Sequence, residues 1–162
     1  MTARSGNPKI ITLLVLGVVL LVLAGQRAWT WRSQVNAQHR QEAAAAAASA
    51  EVTRLISVSA KDADSAFTEL LAGATASFRQ DLKSQAAQLR KAVAASQVEA
   101  TGKVVSTGVG RATGDQATVY VAATGTVANV GTTGPENRDY RVKVEMRRVG
   151  DRWLVAGLEF VA

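Results

Sequence analysis

Two tyrosines and a few acids carry most of the chemistry open to this chain. A buried tyrosine beside a carboxylic acid can stabilise an enolate and shuttle a proton, and Tyr120, Tyr140, Asp115 and Asp62 are the candidates. Gly108, Gly110 and Gly114 follow a Gly-x-Gly-x-x-x-Gly spacing, which invites a phosphate-loop reading. Arg141, Lys143 and Arg147 alternate along one stretch and so share one strand face, where they would meet phospholipid headgroups. His39 is the single histidine.

Each candidate has a plainer account. Asp115 belongs to the turn signal Gly114-Asp115, and Asp62 precedes a helical pattern as its N-cap; both positions face solvent. Tyr140 alternates in step with Val142 and belongs to an apolar face. The three glycines precede a strand, not a helix, and no Lys-Ser/Thr follows them, so a turn or bulge is expected. Glu145 interrupts the basic row, which reads as a solvated sheet face. His39 falls in a polar stretch and reads as exposed, and Trp153 opens a strand as a core plug. No catalytic, cofactor-binding or metal-ligating residue is therefore assigned, no cofactor is expected, and the chain is read as a non-enzyme.

Composition narrows the choice further. The 162 residues allow one ordinary domain with accessories. With no cysteine there is no disulfide framework, cysteine nucleophile or thiolate metal site, and one histidine excludes a multi-histidine centre. Eight aromatic residues are few for stacking bases. The net charge of +6 is uneven: residues 1–35 hold Arg4, Lys9, Arg27 and Arg32 with no acid, residues 36–100 balance seven against seven, and residues 101–162 hold eight basic and six acidic groups. Most of the excess flanks one apolar run, the pattern of a membrane anchor, and a nucleic-acid partner is not expected.

That run is Ile10–Ala24. Fifteen helical residues span roughly 22 Å, short of the ~30 Å hydrocarbon core. Extension over 9–28 is long enough, with Lys9 and Arg27 reaching toward headgroups and Trp29 and Trp31 at the interface. A cleaved signal peptide ending near Val22-Leu23-Ala24 is the alternative; the tryptophans and the helical sequence beyond favour a retained anchor. The expected layout is an N-terminal tail at 1–8, a transmembrane helix at 9–28, a helical stalk at 29–58 and an extracytoplasmic α+β domain at 59–162. Cationic residues near the run hardly separate its two sides, so the cytoplasmic N-terminus follows from the short tail alone.

The stalk contains six consecutive alanines, Ala43–Ala48, and a weak stripe of Ala45, Ala48, Val52 and Leu55, strengthened at its end by Ile56, that serves either a coiled-coil seam or the start of a domain core. Phe67, Leu70 and Leu71 then share one helix face, and Gly73 ends that helix. Phe78, Leu82, Ala86, Leu89 and Val93 line a further helix. From Val98 the period becomes two. A weak, glycine-containing strand covers about 98–109; Ala117, Val119, Val121 and Ala123 mark the next. Tyr140, Val142, Val144 and Met146 follow, then Leu154, Ala156, Leu158 and Phe160. Helices followed by four strands predict an α+β fold, a twisted four-stranded antiparallel sheet with helices on its apolar face.

Several segments carry a resemblance. They are Leu70-Leu71-Ala72-Gly73 with Phe78-Arg79, Gln116–Val121, Asp139–Val144, the hairpin Arg148-Val149-Gly150-Asp151-Arg152-Trp153-Leu154-Val155, and Leu158–Val161. Over roughly 10–162 the chain resembles the Mce-associated membrane proteins of actinobacteria, and its closing hairpin is similar to those of cystatin-like or nuclear-transport-factor-2-like rolls. These include the periplasmic domains of type IV secretion scaffolds. The resemblance implies a single-pass cell-membrane protein that assembles or stabilises a Mce-type lipid or sterol import complex, with its lipid-transfer subunits and permease as partners alongside the bilayer itself. Related rolls include enzymes. Self-association as a secretion scaffold, or lipid binding within the roll, are the alternatives.

Overall fold

The computed structural model describes residues 34–161. The apolar run at 9–28, the tail before it and Trp29 and Trp31 lie outside them. Among the described residues no helix is long and apolar enough to cross a membrane. The chain divides into two compact units, Met1–Arg40 and Gln41–Ala162. Residues 34–40 of the first are helical; the fold below is that of the second.

Helix α1 (34–56) buries Ala44, Ala48, Val52 and Ile56, one residue per turn. The expected stripe is met at Ala48, Val52 and Ile56, whereas Ala45 and Leu55 lie on its half-buried flank and Ala44 takes the first buried place. Steps of four residues rotate by about 40°, so the stripe winds around the helix and follows a twisted sheet surface. Of the two roles left open for that stripe, the start of a core is the one observed, because all four side chains join the sheet's apolar cluster. A domain boundary at 59 is therefore too late: residues 41–58, assigned to the stalk, fold with the domain.

Helix α2 (Ala63–Ala72) follows a short turn, and α3 (Ala76–Ala95) follows α2. Asp62 occupies the N-cap of α2, but its side chain makes no capping bond; its carbonyl accepts from Ala66 N–H. Thr75 caps α3 through its hydroxyl, which accepts from Phe78 N–H. Arg79 then donates to the carbonyls of Leu71 at 2.8 Å and Ala74 at 3.0 Å. These are carbonyls at and just beyond the end of α2, where helical partners run out. The Leu-Leu-x-Gly and Phe-Arg segments thus form one device that turns the chain between two helices.

Strands β1 (Glu99–Thr113), β2 (Gln116–Ala128), β3 (Glu136–Val149) and β4 (Arg152–Phe160) form an antiparallel meander in the order β1-β2-β3-β4. The four-stranded sheet and its two apolar central strands match the expectation: Ala117, Val119, Val121, Ala123, Val142, Val144 and Met146 are buried. β1 is longer than expected. Two register shifts, between Val104 and Ser106 and between Val109 and Arg111, break its alternation and explain its weak signal.

β4 departs more sharply from the expectation. Glu145 pairs with Gly157 but Met146 pairs with Val155, so Ala156 is the extra residue of a bulge. Side-chain direction inverts across it. Val155 is buried and Trp153 packs on the core, whereas the expected face placed Leu154 and Ala156 there; Leu158 beyond the bulge stays on the core side.

Both outer strands are partly covered. Residues 58–60 bond the start of β1 and the residue before it, through Ala100 N–H to Val58 carbonyl, 2.8 Å, and Ala60 N–H to Val98 carbonyl, 2.7 Å. Residues 73–75 clasp β4 at the bulge, where Thr75 N–H donates to Val155 carbonyl and Val155 N–H to Gly73 carbonyl, both 2.8 Å. The helices are held against the sheet by these backbone bonds as well as by apolar packing.

Candidate functional site

An apolar cleft opens between the helices and the inner face of the sheet, with a volume of about 260 Å³. α2 presents Ala63, Ala66, Phe67 and Leu70 to it, the i, i+3, i+4, i+7 set of one face. α3 contributes Leu89 and Val93, the end of α1 contributes Leu55 and Ile56, and the sheet adds Ala100, Val127, Tyr140 and Phe160. The Tyr140 and Phe160 rings lie 6.3 Å apart at 55°, a tilted aromatic pair.

The cleft exists because α3 packs lightly. Its apolar residues share one side, as expected, but none of the twenty is fully buried, and Leu89 remains 48% exposed. Polar groups stand at the mouth and are paired. Arg90 meets Asp64 at 3.2 Å, and its guanidinium carbon lies 4.7 Å over the Phe67 ring. Arg54 holds Glu51 and reaches Glu69 at 3.6 Å. Glu51 is buried beneath the helices, and one of its oxygens, Oε2, has no hydrogen-bond partner among the described residues. Burial pushes the Glu51 carboxyl above the usual carboxylate range, against the opposing pull of Arg54 and Arg152.

The enolate-type candidates are not brought together. Tyr140 faces the cleft, and no acid lines that cleft. Tyr120 points to the opposite face of the sheet, 49% exposed, paired in register with Lys143. Asp115 is exposed in the β1–β2 turn, where its carbonyl accepts from Arg148 N–H, and Asp62 is exposed at its cap. The glycine series dissolves into strand and turn: Gly108 and Gly110 lie within β1, and Gly114 supplies the turn's positive φ of 55°.

The basic row runs along the outer face, as expected. Lys143 bonds Glu159 at 3.1 Å and lies 3.7 Å from Glu145, and the bond to Glu159 pushes its ammonium pKa up. His39 is exposed in α1. Among the described residues no group of three or more His, Asp or Glu is arranged to hold a metal ion.

The Arg54–Glu51 pair was not singled out from the sequence. Its signal was the i, i+3 spacing of opposite charges with Glu51 directly before the apolar position Val52. The cleft had no signal of its own, since its walls have the same apolar spacing as a closed core.

Residues 8–162 match the family described as "Uncharacterized protein Rv1363c/MT1408-like". The chain belongs to that family. It is 29% identical over 159 residues to the protein Rv1363c of Mycobacterium tuberculosis (strain ATCC 25618 / H37Rv), covering 95% of this chain. It spans only 61% of that relative's length. Among solved structures, the fold is similar to an IcmL-like type IV secretion system protein of Legionella pneumophila, with a TM-score of 0.57 and 9% identity over 72% of this chain and 88% of that one. It is similar also to CagV, a VirB8 homolog of the Helicobacter pylori type IV secretion system, with a TM-score of 0.56 and 12% identity over 72% and 95%. At such identities the likeness is one of fold. The α+β domain of this chain is therefore similar in fold to these two secretion-system proteins.

Proposed function

We propose that this chain is a membrane-tethered, non-catalytic accessory protein that assembles or stabilises a Mce-type lipid import complex in the cell envelope. The observation that carries the reading is the order of the chain: a cation-flanked apolar run at Ile10–Ala24, then a domain of VirB8-like fold. The apolar run spans the membrane once, with the N-terminus cytoplasmic and the domain outside. The Mce partner comes from the resemblance of Leu70–Gly73, Asp139–Val144 and the Arg148–Val155 hairpin to the Mce-associated proteins. Mechanistically, tethering confines the domain to the membrane surface and raises its effective concentration beside a membrane-bound partner.

A second reading rests on β1. Strand cover reaches it at Glu99, from Ser59, and a side-chain clasp from Ser57 reaches Gly102. Beyond that point the outer edge is available for strand addition, which suits a self-associating scaffold. Co-purification separates the two. The full chain, tagged at its C-terminus and extracted in mild detergent, should enrich Mce substrate-binding subunits and their permease, identified by mass spectrometry. Recovery of the chain alone, or with secretion components, overturns the accessory reading and favours the second.

A further inference from the structure

The cleft beneath α2 and α3 is the one feature on which size, polarity and exposure agree. Its mouth exposes two large apolar side chains to water, Leu89 at 48% and Phe160 at 58%. Covering them is favourable at about 25 cal/mol per Å². Phe67, Leu70, Val93 and Tyr140 continue the wall inward.

Three occupants compete for such a surface, and the geometry separates them. A single helical turn, about 10 Å across and 5.4 Å long, fills roughly 400 Å³, so a partner helix would lie across the mouth and leave the inner wall of the 260 Å³ cleft unfilled. An extended peptide needs hydrogen-bond partners for its backbone. The walls offer few, because their own backbone lies in α2, in α3 and in the ladder that pairs Ala100 with Val127 and Ala123 with Tyr140. An anionic ligand needs a free cation, but Arg90 already holds Asp64, and Arg54 already holds Glu51. A hydrocarbon chain requires neither charge nor hydrogen bonds, and the volume admits about nine solvent-sized groups at about 30 Å³ each.

We infer that the cleft binds one hydrocarbon chain of a membrane lipid, with the lipid's polar end left at the mouth beside Arg54 and Arg90. The domain is then a lipid-chain acceptor, which goes beyond the role of an assembly factor. Leu89 and Phe160 form the entry, and Phe67 and Tyr140 line the path inward.

The test uses the full chain in phosphatidylcholine nanodiscs in which a trace of the phosphatidylcholine, a lipid of no net charge, carries a mid-chain diazirine on one acyl chain. After illumination, adducts are mapped by mass spectrometry. The expected result is labelling of peptides bearing Phe67, Leu89 or Phe160. Ala66→Trp, which fills the cleft, should reduce that labelling by about tenfold, the effect of ~1.4 kcal/mol of lost affinity. Leu89→Lys places a charge at the half-exposed mouth, where it cannot disrupt a core, and should reduce labelling in the same direction. No labelling of these peptides in the parent chain, or labelling unchanged in both variants, overturns the inference. If Ala66→Trp loses its native circular dichroism, Leu89→Lys decides alone. If the chain does not travel with the nanodiscs, the anchoring reading fails separately, and the same labelling is read with the diazirine phosphatidylcholine in detergent micelles.

Discussion

The Glu51 carboxylate lies directly against the Cα of Gly73, so that a methyl group there would collide with both carboxylate oxygens. Gly73 ends α2 with an ordinary φ of −81°, so the glycine is required by the close approach and not by its backbone conformation. Gly73→Ala should therefore push the Glu51 carboxylate aside and cost about 1 kcal/mol, the low end for overpacking, because the obstructing atoms end a flexible side chain. The penalty should shrink when Glu51→Ala is added, because the obstructing group is gone. A double-mutant cycle from urea melts checks this, and strictly additive effects would count against the contact.

The same carboxyl makes stability depend on pH. Burial raises the Glu51 pKa in the folded state. The folded chain thus binds that proton more tightly than the unfolded chain does. Its contribution to stability is greatest below the ordinary glutamate range, near pH ~4.3, and declines as pH rises through the higher folded value. Glu51→Gln cannot titrate, so its stability relative to the parent should climb as pH rises above the ordinary glutamate range and level off once pH has passed the raised folded-state value. A constant difference across denaturant melts over that rise in pH would exclude the effect.

Arg79 provides a second test of the helix connection. Its guanidinium satisfies the carbonyls of Leu71 and Ala74. Arg79→Ala removes two charge-assisted bonds and should destabilise the domain by about 1.5–3 kcal/mol. Hydrogen exchange should quicken first at the end of α2 and in the 73–75 clasp on β4. Uniform quickening throughout the sheet would argue for a global role instead.

Whether α1 is stalk or core is tested by its alanines. Ala48 is fully buried against the sheet cluster, and Ala46, two residues earlier, is exposed. Ala48→Leu should cost about 1–3 kcal/mol, whereas Ala46→Leu should change stability by less than about 0.5 kcal/mol. Thermal melts of the two variants compare them directly. Equal effects would mean that α1 stands away from the domain.

Gln97 holds a positive φ of 47° just past the end of α3. Its N–H bonds Ala94 carbonyl and the Val98 N–H bonds Val93 carbonyl, which together form a Schellman-type end. A side chain is strained in that conformation, so Gln97→Gly should stabilise the domain by about 0.5–1 kcal/mol. An unchanged or lower melting midpoint would refute it.

Much of this architecture was written into local sequence. Alternation at Ala117–Ala123 and Tyr140–Met146 gives two central strands buried on one face, because side chains change sides at every residue. Gly150-Asp151 closes the β3–β4 hairpin for an equally local reason, a positive φ of 62° that glycine adopts freely. Asp115 and Asp62 were legible as solvent-facing from their turn and cap positions.

What local sequence could not decide was set by partners distant along the chain. The bulge at Ala156 depends on pairing with Glu145 and Met146, and it turned Val155 inward instead of Leu154. Ala44–Ile56 became core only because the sheet, at least forty residues later, presents a twisted apolar surface to it. The burial of Glu51 required Gly73 to come beneath it. The cleft is the strongest case. Phe67, Leu89 and Phe160 have the spacing of a closed core, and hydrophobic periodicity records which side is apolar, not how closely two apolar sides approach. That distance is set by the 73–75 and 58–60 backbone clasps together with the lightly packed α3, and it left a space open.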